Sequence, residues 1–120
     1  MDKASDLPTI TEERNLLYDF YGPMLTKKQA ACFTMRYVED YSLSEIAQEL
    51  EISPQAVVDF LKRALGRLVQ AEGQLGLIKK FQHQQALMID IATKLDELER
   101  EIGPAEQLKW IKQAIGELII

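Results

Sequence analysis

Apolar residues recur at helical spacing along nearly the whole chain, and each run is bounded by residues that start or stop helices. From Glu12 to about Tyr21, Leu16, Leu17, Phe20 and Tyr21 share a face, and Gly22-Pro23 stops the run. Thr9 with Glu12 is a candidate capping box, with Thr11 an alternative cap, and Met1 to Pro8 are expected to fray. Thr26 with Gln29 starts a second helix over Lys27 to Tyr37, carrying Ala30, Phe33 and Tyr37 on one side and Ala31, Met35 and Val38 beside them. Glu39-Asp40-Tyr41 is a link in which the tyrosine is expected to anchor into the core. The next stretch, SLSEIAQELEISPQAVVDFLKRALGRL, organises the rest. Ser42 and Glu45 form a capping box, and Leu43, Ile46, Ala47 and Leu50 give a short amphipathic helix. Ser53 is a natural N-cap and Pro54 fits the first helical position, where its missing N–H costs nothing. A longer helix then turns Val57, Phe60 or Leu61, Ala64, Leu65 and Leu68 inward and runs to about Glu72. Two helices joined by so short a turn are a helix-turn-helix, whose second member can enter a DNA major groove.

After a break bracketed by Gly73 and Gly76 the pattern changes. Phe81, Met88, Ile91, Leu95, Leu98 and Ile102 recur as a heptad seam interrupted by Gln84. Gly103-Pro104 then supplies the terminal glycine of one helix and the N1 proline of another. That last helix, Ala105 to Ile119, aligns Leu108, Ile111, Ile115 and Leu118. The expectation is an antiparallel helical hairpin. Ile78, Leu87, Ile89, Ala92, Trp110 and Ile119 fall off the seam, either to pack on the N-terminal helices or to form a homodimer interface, the second being favoured. The fold class expected is all-α, with a helix-turn-helix domain over residues 9–73 and a docked or dimerising hairpin over 74–120.

Composition changes this picture in three ways. Hydrophobic residues at 47% are enough for a core and too many for a disordered chain. The single cysteine, Cys32, excludes an internal disulfide and a cysteine-rich zinc site, and is expected to fill core space. MDKASDLP lacks the apolar core of a signal peptide and no run of about 18 apolar residues follows, so a cytoplasmic protein without membrane insertion is expected. Charge bears on partners. The formal net charge is −5, and the first 73 residues hold eight Lys and Arg against twelve Asp and Glu. Non-specific affinity for nucleic acid should therefore be weak and sensitive to salt.

Catalytic and metal-binding patterns do not emerge. The one histidine, His83, falls on a wet heptad position, and there is no HExxH, GxSxG, glycine-rich phosphate loop or spaced Cys/His set. Asp96, Glu97, Glu99 and Glu101 crowd one helix end and are best explained as a solvated face. No enzyme, cofactor or metal is expected. Candidate DNA contacts are instead the outward residues of the motif's second helix: Ser53, Gln55 and Ala56 in its first turn, then Asp59, Lys62, Arg63 and Arg67. Gln55 has the geometry for a bidentate contact to adenine. Asp59 suits a cytosine amine but more readily repels phosphates. Lys62, Arg63 and Arg67, with Lys27 and Lys28 on another helix, either clamp phosphates on both sides of the groove or merely keep their helices solvated.

The stretch TKKQAACFTMRYVEDYSLSEIAQELEISPQAVVDFLKRALGRL, preceded by ERNLLYDFYGPMLTKKQ, resembles the YlxM family of small bacterial helix-turn-helix proteins, which are similar to region 4 of sigma-70 factors. The likeness runs from about Glu12 to Glu72 and is weaker in the hairpin. It implies a cytosolic, sigma-like DNA-binding fold with Ser53, Gln55, Ala56, Asp59, Lys62 and Arg63 facing DNA. It also implies a link to the signal recognition particle, whose genes neighbour the family's own. Members would regulate or assist that protein-targeting pathway, either through double-stranded DNA or as an accessory module that binds protein or RNA components of the particle. Two positions depart from the family pattern. Pro54 stands where relatives commonly place arginine, and Glu51 stands in the turn where glycine is usual, a left-handed position that favours glycine by roughly 1 kcal/mol.

Overall fold

A computed structural model describes residues 11–119. The Thr9 cap and the fraying expected for Met1 to Pro8 lie outside them. The described residues form six α-helices and one 3-10 turn: α1 (Thr11–Tyr21), the turn Gly22–Met24, α2 (Lys27–Tyr37), α3 (Leu43–Leu50), α4 (Pro54–Leu75), α5 (Leu77–Ile102) and α6 (Glu106–Leu118). No helix among them is long and apolar enough to cross a membrane. The chain divides into two compact units, one ending at Ile78 and one beginning at Lys79.

Local chemistry sets the helix starts in the first unit. The Thr26 hydroxyl accepts the Gln29 N–H at 3.2 Å while the Gln29 amide oxygen accepts the Thr26 N–H at 3.0 Å. Ser42 and Glu45 repeat the arrangement at 3.1 and 3.0 Å. The Ser42 N–H, and then its hydroxyl, hold the Glu45 carboxyl below its ordinary value of 4.5. Each reciprocal pair satisfies N–H groups that a helix start otherwise leaves unbonded.

α4 is the spine, and α1, α2 and α3 all pack on it. Its early turns bury Val57 and Leu61 in a cluster with Cys32, Ile46 and Ala47. Its later turns bury Ala64, Leu65, Leu68 and Ala71 with Leu17, Tyr21, Phe33 and Ile78. Burying each large aliphatic side chain contributes about 1.5–3 kcal/mol. Leu61 is the inward residue and Phe60 only flanks the cluster. Tyr41 packs there too, as expected of a core anchor. Cys32 is fully buried, and burial pushes its thiol above the usual range.

Gly73 does not break α4. The helix continues to Leu75 and is terminated by Gly76, whose φ of +63° is the left-handed cap that glycine adopts without steric cost. A helical glycine costs only about 1 kcal/mol, and the left-handed cap that ends α4 lies three residues on, where the Gly76 N–H donates to the Glu72 carbonyl.

In the second unit α5 and α6 run antiparallel. The Gln85 side-chain amide donates to the Leu118 carbonyl at 3.2 Å, and Lys112 meets Asp96 at 2.6 Å and Glu99 at 3.4 Å. Asp96 and Glu99 are thus partly engaged by a cation rather than wholly solvated. The hydrogen bond to Lys112 holds the Asp96 carboxyl below its usual range, and the same bond raises the Lys112 ammonium. Two sequence expectations fail here. Pro104 precedes the cap residue Ala105 instead of occupying N1. The half-buried positions of α5 are Phe81, Gln85, Met88, Ala92, Leu95 and Glu99, whereas Ile91, Leu98 and Ile102 of the expected seam stay exposed, as do Ile111 and Leu118 on α6. A 3.6-residue helix rotates away from a strict heptad, so neighbouring apolar stripes compete for the partner helix, and α6 takes the one that also carries the Lys112 pairs.

Candidate nucleic-acid interface

The turn between α3 and α4 fixes how α4 is presented. Glu51 caps α3 in the left-handed region, with φ 56° and ψ 45°, the conformation for which the sequence departs from glycine. The Ile52 N–H donates to the Ala47 carbonyl at 3.0 Å, and Ile52 packs on the Val57 cluster. Ser53 is extended, and its hydroxyl accepts the Ala56 N–H at 3.1 Å. Pro54 then occupies the first helical position. Because Val57, Leu61 and Ala64 are held inward, helical periodicity turns Gln55, Asp59, Lys62 and Arg63 outward.

The structure sorts the sequence candidates. Gln55, Asp59, Lys62 and Arg63 share the exposed side of the first three turns of α4, and Arg67 is exposed one turn beyond Arg63. The exposed Ser53 spends its hydroxyl on the cap, and Ala56 is half-buried, so both shape the helix entry more than they offer side-chain contacts. Lys27 and Lys28 are exposed in the first turn of α2, on a different element. Cations at a helix N-terminus oppose the macrodipole, so their placement does nothing for α2 itself.

Asp59 pairs with Arg63 at 3.2 Å, both side chains being more than half exposed. An acid four residues before a base on one helix face was visible in the sequence as a pairing signal. An exposed pair of this kind is worth about 0.3–0.5 kcal/mol, so it is easily exchanged for a stronger partner. No salt bridge among the described residues involves Lys62 or Arg67.

Gly66 lies on the same outer side, and a Cβ built there meets nothing within 4 Å. Gly66→Ala is expected to stabilise the first unit by up to about 1 kcal/mol, raising its thermal midpoint by several degrees. A lowered midpoint would show that this turn needs glycine.

Residues 9–115 match a family model described as "Putative helix-turn-helix protein, YlxM / p13 like". The UPF0122 protein of Listeria welshimeri is 42% identical over 105 residues, covering 84% of this chain and 96% of its own. That of a Thermoanaerobacter species is 48% identical over 111 residues, covering 86% and 88%, and that of Bacillus mycoides is 39% identical over 108, covering 90% and 96%. With a capped short helix, a left-handed turn and a proline-started second helix in the matched region, the chain belongs to the YlxM/p13-like helix-turn-helix family.

Proposed function

We propose that this protein is a duplex-DNA-binding regulator in which the first three turns of α4 enter the major groove. The observation that carries the reading is the outward set Gln55, Lys62 and Arg63 on a helix whose inward side is wholly committed to the core. In this role Gln55 reads adenine, Lys62 and Arg67 meet phosphates, and Arg63 leaves Asp59 to do the same. Lys27 and Lys28 are second-tier phosphate contacts. The genes of the signal recognition particle, to which the family resemblance points, are the candidate targets.

Asp59 and the net charge of −5 favour a second reading, an accessory module of the targeting pathway that meets a basic protein or protein–RNA surface. One variant pair separates the two. On DNA, Lys62→Ala weakens binding to any duplex and lowers the salt slope by about one, while Asp59→Asn tightens binding several-fold by freeing Arg63 and removing a repelled charge. Against a basic partner Asp59→Asn weakens binding instead. Fluorescence anisotropy with the duplex upstream of the chain's own gene, from about 50 to 200 mM salt, is the measurement. No binding at the low-salt end sinks the DNA reading.

A further inference from the structure

The second unit leaves an apolar face uncovered. Along α5, Leu87, Ile91, Leu98 and Ile102 are 49, 40, 41 and 64% exposed. Successive residues turn by about 100°, which places these four within roughly 60° of one another, beside the stripe that faces α6. On α6, Ile111 and Leu118 are 37 and 56% exposed and lie seven residues apart, on one line. Antiparallel pairing, fixed by Gln85 with Leu118 and by Asp96 with Lys112, brings both stripes to the same side of the hairpin. Ile89, 53% exposed, lies on the opposite side of α5.

We infer that this face is a homodimer interface whose occupant is the same face of a second copy. Two observations favour that occupant. These six side chains present on the order of 400 Å² of apolar surface, within the range of about 300–600 Å² for the largest and often functional patch on a soluble protein, and close to the apolar share of a half-interface of about 800 Å². The α5 stripe also has the same spacing in both directions: four residues from Leu87 to Ile91, seven to Leu98, four to Ile102. A two-fold axis crossing the helix between Lys94 and Leu95 therefore sets Leu87 against Ile102 of the second copy, and Ile91 against its Leu98. Self-matching of one patch is what a two-fold interface requires.

Sedimentation equilibrium of the full chain from about 1 to 100 μM tests the inference. The wild type is expected to reach twice its 13.7 kDa chain mass within that range. Leu98→Glu and Ile91→Lys each weaken association at least tenfold, and Ile89→Lys leaves it unchanged. These positions are exposed, so circular dichroism should show folded helices in every variant. Combining Ile91→Lys with Leu98→Glu in one chain recovers association, because each new charge meets its opposite across the axis. A wild type that stays at 13.7 kDa throughout, or an Ile89→Lys variant that dissociates like Leu98→Glu, overturns the interface. Failure of the double variant to recover overturns the two-fold register.

Discussion

Phe33→Ala is expected to destabilise the first unit by about 3–5 kcal/mol, the range for truncating a buried aromatic. Phe33 is 1% exposed and lies in the cluster with Leu17, Tyr21, Leu65 and Leu68. Its ring stacks on Tyr18 at 4.8 Å between centroids and 6° between planes, and tilts against Tyr37 at 4.8 Å. Tyr37 in turn carries the Arg14 guanidinium 4.2 Å above its ring. Truncation therefore removes the apolar burial, a paired set of aromatic contacts worth about 0.5–1.5 kcal/mol each, and the support under a cation–π contact. Collapse cannot refill the space easily, because α1, α2 and α4 all border it and α4 is pinned at its other end by Val57 and Leu61. All four tyrosines belong to the first unit, so urea unfolding followed by tyrosine fluorescence reports this core. With slopes of about 1–3 kcal/mol/M, the midpoint should fall by more than 1 M. A loss below 1 kcal/mol would mean that Phe33 does not hold α2 to the spine.

The helix starts of the first unit were legible in the sequence because caps are local chemistry. Thr26 with Gln29, Ser42 with Glu45, and Ser53 before Pro54 each act within four residues, and each performs as its spacing indicates. The inward side of α4 was legible for the same kind of reason: one periodic stripe meets a surrounding core. The hairpin was less so. Apolar residues lie nearly all round α5, and sequence spacing alone does not decide which stripe α6 takes; Lys112, reaching Asp96 and Glu99 from another helix, marks the answer. Gly73 and Gly76 are alike as residue types, and only the backbone tells them apart: Gly73 stays helical and Gly76 takes the left-handed cap. The candidate interface divides in the same way. Exposure of Gln55 and Lys62 follows from periodicity, but the spending of the Ser53 hydroxyl on the Ala56 N–H depends on the turn's actual backbone.

The least legible feature carries the second large effect. Tyr21→Phe is expected to lower the thermal midpoint of the first unit by roughly 5–10 °C. The Tyr21 side chain is buried at the end of α1, and its hydroxyl donates to Glu72 Oε1 at 2.6 Å while accepting the Leu77 N–H at 3.1 Å. Glu72 Oε1 also accepts the Ile78 N–H at 2.9 Å. A hydroxyl and a carboxylate from residues 51 positions apart thus serve as the N-terminal cap of α5, a task usually performed by a neighbouring Ser, Thr or Asp. The carboxylate also sits where the α5 dipole favours negative charge. Phenylalanine preserves the ring packing but leaves Leu77 without its acceptor and Glu72 without its hydroxyl donor. Glu72→Gln retains an acceptor for both donors and should cost less, and the double variant should fall short of the sum because the groups act as a unit. The same site sets an alkaline response. Burial, followed by the bond to Glu72, raises the Tyr21 hydroxyl above its ordinary value of 10.0, so the folded state keeps a proton that the unfolded chain releases. The stability it contributes is complete below pH 10.0 and is lost as pH rises through the elevated folded value. Thermal midpoints measured from pH 8 to 11 should therefore decline more steeply for the wild type than for Tyr21→Phe. Parallel declines would show that the Tyr21 proton is not what couples α1 to the start of α5.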